Sequence, residues 1–254
     1  MSSDLAGNRV ANYMNSQQQD KAYVLHTRAY KNTSLIIEVI TREHGRMALV
    51  AKGAKRINSP FQGLLQPFSP LFVVWGGRSE MKTLYKAETM SGPGKLAGEL
   101  IYSGFYINEL IIYLLHKHEA HPALFDRYQN CLDKLQRGQE TELTLRYFEL
   151  QLLEELGYGV SLEHELQTEQ PVLPDRLYAY TMEMGFSSVS GDDTTLLYVS
   201  GDTLLALAAS NICTEKQKSE AKKLLRSILD YHLEGRPIKT REFFAQNKKI
   251  PLSQ

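Results

Sequence analysis

The sequence predicts an α+β fold in which an N-terminal five-stranded β-barrel precedes an α-helical domain with a small β-containing insert. Residues 21–90 contain short β-branched and aromatic runs separated by glycine-containing turns, whereas residues 95–254 repeat their apolar positions mainly at helical spacing. The Ser-Gly-Pro-Gly segment at 91–94 is the expected boundary between the two domains. Residues 1–20 are polar and without period, so we expect a disordered leader, and the Pro- and Gly-punctuated residues 171–200 form the expected insert.

The first domain contains five candidate strands, each a short run rich in apolar and β-branched residues. They cover residues 23–28, 35–41, 46–52, 68–75 and 81–87. Five such strands with tight turns are typical of a closed barrel of the size of an OB-fold. The strand count alone does not separate an OB-fold from an SH3-like barrel.

The second domain contains apolar stripes at helical spacing. Three of them predict helices over residues 96–115, 124–135 and 145–156. A strong last helix is predicted from about residue 215 to 233, because Thr214 and Gln217 have the spacing of a capping box at its start.

Composition excludes several classes of protein. The longest apolar run, residues 110–115, is far shorter than the roughly 20 residues of a membrane-spanning helix, and no signal-peptide pattern opens the chain. Two cysteines, Cys131 and Cys213, are too few for a disulfide scaffold or a four-cysteine zinc site, and we expect both to be buried. These observations predict a cytoplasmic protein that does not associate with membranes.

The formal net charge of zero hides a pattern along the chain. Residues 21–88 carry +7, residues 89–210 carry −11 and residues 211–254 carry +5. This pattern indicates separate surfaces with separate roles. The acidic residues of the middle region have an alternative role, which is simply to solvate its helices.

Motifs for catalysis are not found. Residues 92–95 lack the spacing of a phosphate-binding loop, and no zinc-protease motif occurs. His116, His118 and His121 lie close in sequence, but His116 and His118 point to opposite sides of a helix that Pro122 ends. We therefore expect a solvated helix end there rather than a metal site, and a protein that is not an enzyme.

Basic residues of the first domain predict binding of nucleic acid. Lys52, Lys55 and Arg56 lie where a strand runs into a loop, and Gly53 between them allows close approach of a ligand to the backbone. Further cations lie on neighbouring strands or turns: Arg28, Lys31, Arg46, Arg78, Lys82 and Lys86. Interleaved aromatic residues either stack on bases or fill the barrel core: Tyr23, Tyr30, Phe61, Phe72, Trp75 and Tyr85. The basic C-terminal helix, with Lys216, Lys218, Lys222, Lys223 and Arg226, is either a second DNA surface or a counter-surface to the acidic middle.

Arg146 stands out within the acidic middle region. It lies beside the apolar positions Phe148 and Leu152, an arrangement that suits an acidic and hydrophobic peptide such as a chain terminus. The alternative is an ion pair between Arg146 and Glu142 on the same helix face.

Ordered segments of the chain resemble the bacterial DNA repair family RecO. They include AYVLHTR at 22–28, LVAKGAKR at 49–56, GLLQPFSPL at 63–71, GGR at 76–78, KTL at 82–84, LIYSGFYINEL at 100–110, RYFEL at 146–150, LGYGV at 156–160 and KTREF at 239–243. The resemblance extends over nearly the whole chain from residue 20 to residue 244.

The resemblance implies an N-terminal OB-fold and a role as a recombination mediator in the RecF pathway, within the cytoplasm and at the nucleoid. Members bind single- and double-stranded DNA, anneal complementary strands, and act with RecR to load RecA onto DNA coated by single-strand-binding protein (SSB). The matching segments make Lys52, Lys55, Arg56 and Arg78 candidate DNA contacts, and they make Arg146 a candidate contact for the SSB tail. Zinc is not expected, because the stretch that carries the ligands in zinc-containing members has no cysteine here. The alternative, an OB-fold RNA-binding or translation-associated module, explains the basic barrel but not Arg146 or the helical segments.

Overall fold

The structure of the chain is a computed structural model that describes residues 17–77, 79, 81–92, 95–188 and 197–247. The described chain divides into two compact units, one that ends at Arg137 and one that begins at Gly138. No helix among these residues is long and apolar enough to span a membrane.

The first unit contains a closed barrel of five strands. These are β1 (Gln17–Tyr30), β2 (Ser34–Thr41), β3 (Gly45–Ala51), β4 (Pro70–Gly76) and β5 (Lys82–Thr89). Their order around the barrel is β1-β2-β3-β5-β4, with β3 and β5 parallel and the other pairs antiparallel. This closed five-stranded arrangement is consistent with an OB-fold and confirms the predicted fold class.

Strand β1 begins earlier than the sequence suggests. Gln17 pairs with Gly76 and Asp20 with Val73 in the β1–β4 ladder, so the prediction of a leader over residues 1–20 is wrong for its last four residues. The backbone ladder needs no apolar side chain at exposed positions, which explains why three consecutive glutamines can belong to a strand. Residues 1–16 lie outside the described part of the chain.

Alternation along the strands builds the barrel core. Inward-facing residues form one buried cluster that includes Val24, Ile37, Val39, Met47, Leu49, Leu71, Val73, Trp75 and Leu84. The loop between β3 and β4 contributes Phe61 and Leu65 to the same cluster. This loop is therefore anchored to the barrel interior at its middle, which fixes the position of the basic residues at its start.

Two helices complete the first unit, α1 (Leu100–Leu114) and α2 (Pro122–Gln136). Tyr23 of β1 packs against them, with ring centroids 5.4 Å from Phe125 and 5.2 Å from Tyr128. The Asn108 amide of α1 donates to the carbonyl of Leu25 at 2.9 Å and accepts from the Tyr128 hydroxyl at 2.6 Å. The outer side of β1 is thus covered here by helices, and the burial of Tyr23 raises the pKa of its hydroxyl.

The second unit combines helices with a small sheet. Its elements are α3 (Thr141–Glu155), β6 (Leu177–Thr181), β7 (Gly185–Ser188), β8 (Leu197–Ser200), α4 (Gly201–Ala208), α5 (Glu215–His232) and α6 (Lys239–Asn247). The strands form an antiparallel sheet in the order β7-β6-β8, which confirms the β-containing insert. Thr214 and Gln217 form the predicted capping box at the start of α5.

Candidate nucleic-acid interface

Three segments that carry predicted DNA-contact residues meet at one end of the barrel. The turn between β1 and β2 contacts the loop after β3: the backbone N–H of Lys55 in that loop donates to the carbonyl of Thr33 in the turn at 2.9 Å. Lys82, the first residue of β5, pairs with Leu49 near the end of β3. We call the resulting group of cations the basic end; it consists of Arg28, Lys31, Lys52, Lys55, Arg56 and Lys82.

Most side chains of the basic end are accessible to solvent. Lys31 lies over the Tyr30 ring with its Nζ 5.3 Å from the ring centroid. The half-buried Lys82 donates from Nζ to the Gly77 carbonyl at 3.1 Å. The exposed members are Arg28, Lys31, Lys52, Lys55 and Arg56. Arg78, which was also predicted to contact DNA, lies outside the described residues.

The cations of the basic end lack acidic partners in the part of the chain that the structure describes. The sequence has no Asp or Glu over residues 21–37 or 45–79, the stretches that build most of this end. Within the described chain, none of the six cations forms an ion pair with a carboxylate. Uncompensated cations grouped on one surface create a positive potential that attracts polyanions.

Other cations of the first unit have structural roles instead. Arg46 donates to the Leu115 carbonyl at 2.9 and 3.1 Å and pairs with Glu38 at 3.1 Å, so it closes the end of α1. Lys86 pairs with Glu88 at 2.7 Å on β5. These contacts separate two basic residues from the basic end that the sequence pattern had grouped with it.

The candidate aromatic residues of the first domain differ in their exposure to solvent. Tyr23, Phe61 and Trp75 are buried, so none of them offers a ring face to a base. Tyr85 on β5 is 48% exposed and is the most accessible of the group. Tyr30 and Phe72 are half-buried. The sequence could not make this distinction, because it depends on which strand face points into the barrel, on the helices that cover Tyr23 and on the fold of the loop that contains Phe61.

The cations of α5 are largely paired within the second unit. The Nζ atom of Lys222 forms an ion pair with Glu142 Oε1 of α3 at 2.7 Å, and that of Lys218 forms one with Glu215 Oε1 at 2.7 Å. Longer contacts join Lys216 to Glu220 at 3.7 Å and Arg226 to Asp230 at 3.6 Å. Of these contacts, only that of Lys222 with Glu142 reaches the acidic middle region, and the other three pairs lie within α5. The pairing therefore argues against a second DNA surface, and it supports a counter-surface to the acidic middle at Lys222 alone.

Arg146 lies in the interior of the second unit. It is 6% exposed and pairs with Glu149, one turn further along α3, while Glu142 pairs with Lys222. The alternative of an Arg146–Glu142 pair is therefore wrong. Phe148 and Leu152 are 1% and 0% exposed, so they are core residues and do not line an open groove in this conformation.

Residues considered for metal binding take other positions. Among the described residues no group of three or more His, Cys, Asp and Glu side chains is placed to hold a metal ion. The backbone of His118 donates to the Arg46 carbonyl at 2.9 Å, which joins the α1–α2 connection to β3. Cys131 is buried, but Cys213 is exposed and the prediction of a buried residue there is wrong, because it lies in the loop that leads into α5.

The fold and the basic end define a class of protein in which a small OB-type barrel with a cationic end is joined to a largely helical region. Residues 14–93 match the family described as "Recombination protein O N terminal", and residues 97–242 match "Recombination protein O C terminal". The chain belongs to the RecO family of DNA repair proteins.

Curated relatives agree over almost the whole length. The chain is 41% identical over 232 residues to DNA repair protein RecO of Aromatoleum aromaticum, which covers 91% of this chain and 97% of the relative. It is 42% identical over 225 residues to DNA repair protein RecO of Methylococcus capsulatus, with 89% and 92% covered. The match to DNA repair protein RecO of Coxiella burnetii is 42% identical over 223 residues, with 88% and 96% covered.

Proposed function

We propose that this chain is a recombination mediator that binds single- and double-stranded DNA at the basic end and promotes annealing of complementary strands. The observation that carries the proposal is the group of six cations at one end of an OB-type barrel, none of which has an acidic partner among the described residues. DNA binding releases counterions from the phosphates that these cations neutralise, so the affinity should fall steeply as salt rises. No step of this activity needs a covalent intermediate or a cofactor.

The SSB tail is the second proposed ligand, and Arg146 is its proposed contact. The guanidinium Nε of Arg146 is buried and has no hydrogen-bond acceptor among the described residues. A carboxylate of the acidic tail would supply such an acceptor, beside the Glu149 carboxylate that Arg146 already holds. Phe148 and Leu152 support the helix from the core side in this proposal, and only a local opening would bring them into contact with a tail.

RecR and RecA complete the proposed pathway. With the SSB tail held by the second unit and DNA held by the barrel, two coated strands are brought close enough to pair, or are passed to RecR for loading of RecA. The gain in rate comes from proximity, since tethering converts an encounter between strands into an intramolecular step.

Annealing of SSB-coated strands in the absence of ATP tests the proposal. Complementary strands labelled with a donor and an acceptor dye are coated with SSB and mixed with or without the protein. We expect acceleration with full-length SSB and little or none with SSB that lacks its tail. No acceleration, combined with retained binding of structured RNA, would contradict the proposal and support an RNA-binding module.

Arg146 is tested separately, by binding of a fluorescent SSB-tail peptide. Arg146 is buried beside Glu149, so Arg146→Glu should lower the midpoint of urea unfolding. Peptide and DNA binding are therefore compared in buffer without urea, where circular dichroism shows the variant to be folded; there we expect peptide binding to be lost while affinity for naked DNA stays close to that of the wild type. Arg146→Lys, which keeps the charge but loses the guanidinium fork, should bind the peptide at intermediate affinity. A parallel fall in the DNA affinity of the folded variant would instead identify Arg146 as a structural residue.

A further inference from the structure

Ile57 is the most exposed of the large apolar side chains in the described chain. Its side chain is 87% exposed, compared with 56% for Leu166, the next in this group. It directly follows Arg56 in the loop between β3 and β4, within the basic end. A single exposed isoleucine is not informative by itself, so its backbone and its neighbours decide what it can do.

The backbone holds Ile57 outwards through consecutive turns. Arg56 N donates to the Gly53 carbonyl at 3.0 Å, and Ser59 N donates to the Arg56 carbonyl at 3.1 Å. Gly53 has a φ of 70°, in the left-handed region that the turn requires. Phe61 then returns into the barrel core. Ile57 is therefore presented at the tip of a loop that is braced on both sides.

The surroundings of this tip are cationic. Lys55 and Arg56 precede Ile57, and the contact from Lys55 N to the Thr33 carbonyl brings the turn with Lys31 close to the same loop. An apolar tip among exposed cations fits a ligand that has anionic groups outside and apolar surfaces behind them. Nucleic acid has this organisation, because phosphates flank a stack of bases.

We propose that Ile57 is a wedge that inserts between neighbouring bases of DNA bound at the basic end, while Lys55 and Arg56 hold the flanking phosphates. Apolar side chains inserted in this way partly unstack a base step and kink the duplex. The inference rests on the proposed DNA binding and adds that the protein opens the base stack locally. A locally opened step is a point at which strands can be exchanged or paired.

The wedge makes a contribution that differs from that of the cations. Burial of an isoleucine side chain corresponds to an affinity gain of about tenfold to a hundredfold, part of which the cost of unstacking cancels. We expect Ile57→Ala to weaken duplex binding by about tenfold. The slope of affinity against salt should not change, because no charge is removed.

Duplexes that contain 2-aminopurine, whose fluorescence rises when it is unstacked, test the wedge with the full-length protein. The probes carry 2-aminopurine at successive positions, and the variants are Ile57→Ala, Ile57→Leu and Ile57→Lys. We expect a fluorescence rise with the wild type and with Ile57→Leu, and none with Ile57→Ala. Ile57→Lys should bind at least as tightly as the wild type at low salt without the rise. Leu166→Ala, which removes another exposed leucine-sized side chain, serves as the matched control and should behave like the wild type.

The outcomes separate this inference from the proposed function. If the wild type binds DNA with a steep salt dependence but never raises the fluorescence, or if Ile57→Ala retains the full rise, the wedge is refuted and DNA binding stands. If the wild type binds no DNA, the proposed function itself fails. If Ile57→Ala leaves DNA binding and fluorescence unchanged but weakens binding of RecR, the side chain is a protein contact and the wedge is refuted.

Discussion

The double substitution Lys55→Ala with Arg56→Ala is the most direct perturbation of the basic end. Both side chains are exposed and without an acidic partner in the described chain, so their removal should change the free energy of unfolding by no more than about 0.5 kcal/mol. Their backbone hydrogen bonds to Thr33 and Gly53 remain possible for alanine, which keeps the loop in place. The variant therefore changes charge without changing the fold.

The expected magnitude follows from counterion release. Each phosphate that is neutralised contributes about 0.9 to the slope of log affinity against log salt for duplex DNA. If all six cations of the basic end contact phosphates, the wild-type slope is about −5, and the double variant should show a slope smaller in magnitude by about 2. Between 50 and 200 mM salt, affinity should then fall by roughly 10³-fold for the wild type and roughly 10²-fold for the variant.

Fluorescence anisotropy with a labelled duplex, titrated at several salt concentrations, measures both slopes. The matched control is Lys216→Ala with Lys218→Ala, which removes two lysines of α5 that pair with acidic residues. We expect the control to keep the wild-type slope. A double variant of the basic end with an unchanged slope would refute the assignment, and a reduced slope in the control would move the DNA site to α5.

Three further predictions test single contacts. Lys31 has a φ of 51°, in the left-handed region that glycine adopts without strain, so Lys31→Gly should keep the free energy of unfolding or raise it by up to about 1 kcal/mol in urea unfolding. Because a charge is lost, the slope of log affinity against log salt, measured by anisotropy, should become smaller in magnitude by about 0.9. Asn108→Ala removes the buried hydrogen bonds to the Leu25 carbonyl and the Tyr128 hydroxyl and should lower the free energy of unfolding by about 2–3 kcal/mol in urea unfolding. A loss below about 0.5 kcal/mol would show that these hydrogen bonds do not stabilise the fold. Burial acts to raise the pKa of Glu220, but hydrogen bonds from Ser200 and Thr203 outweigh this effect and leave the pKa lowered. The ionised carboxylate therefore stabilises the folded protein at pH values above the pKa of the unfolded state. This stability is lost as the pH falls through the lower pKa of the folded state. Glu220→Gln should flatten the acid side of the stability–pH curve, and an unchanged curve would contradict the assignment.

Much of the fold could be predicted from the sequence because it depends on local periodicity. The five strands were placed to within a few residues in most cases, and the capping box of α5 could be identified from Thr214 and Gln217 alone. The start of β1 was missed because polar glutamines contribute to a strand only through the backbone pairing with β4. Such pairing joins distant segments and leaves no local pattern.

Partners of charged side chains could not be predicted in the same way. Arg46 and Lys55 look alike in the sequence, but Arg46 is bound to the Leu115 carbonyl and to Glu38, whereas Lys55 faces solvent. Helical spacing offers an Arg146–Glu142 pair as the alternative to peptide binding, but Glu142 pairs with Lys222 of a helix far along the chain. Spacing describes neighbours on one element, and these contacts lie between elements.

We therefore locate the proposed DNA site by the compensation of charge rather than by net charge. The segment from residue 21 to 88 and the segment from residue 211 to 254 are both basic, yet α5 in the second uses most of its cations in pairs with acids such as Glu142 and Asp230. Exposed pairs of this kind add little stability, but they lower the local potential that a phosphate would meet. The basic end keeps its potential because its cations form no ion pair with a carboxylate in the described part of the chain, and it adds an exposed apolar tip at Ile57 that neighbouring bases would cover in our proposal. A polyanion attracted to both surfaces should accordingly be retained at the barrel, where charge and apolar contact coincide.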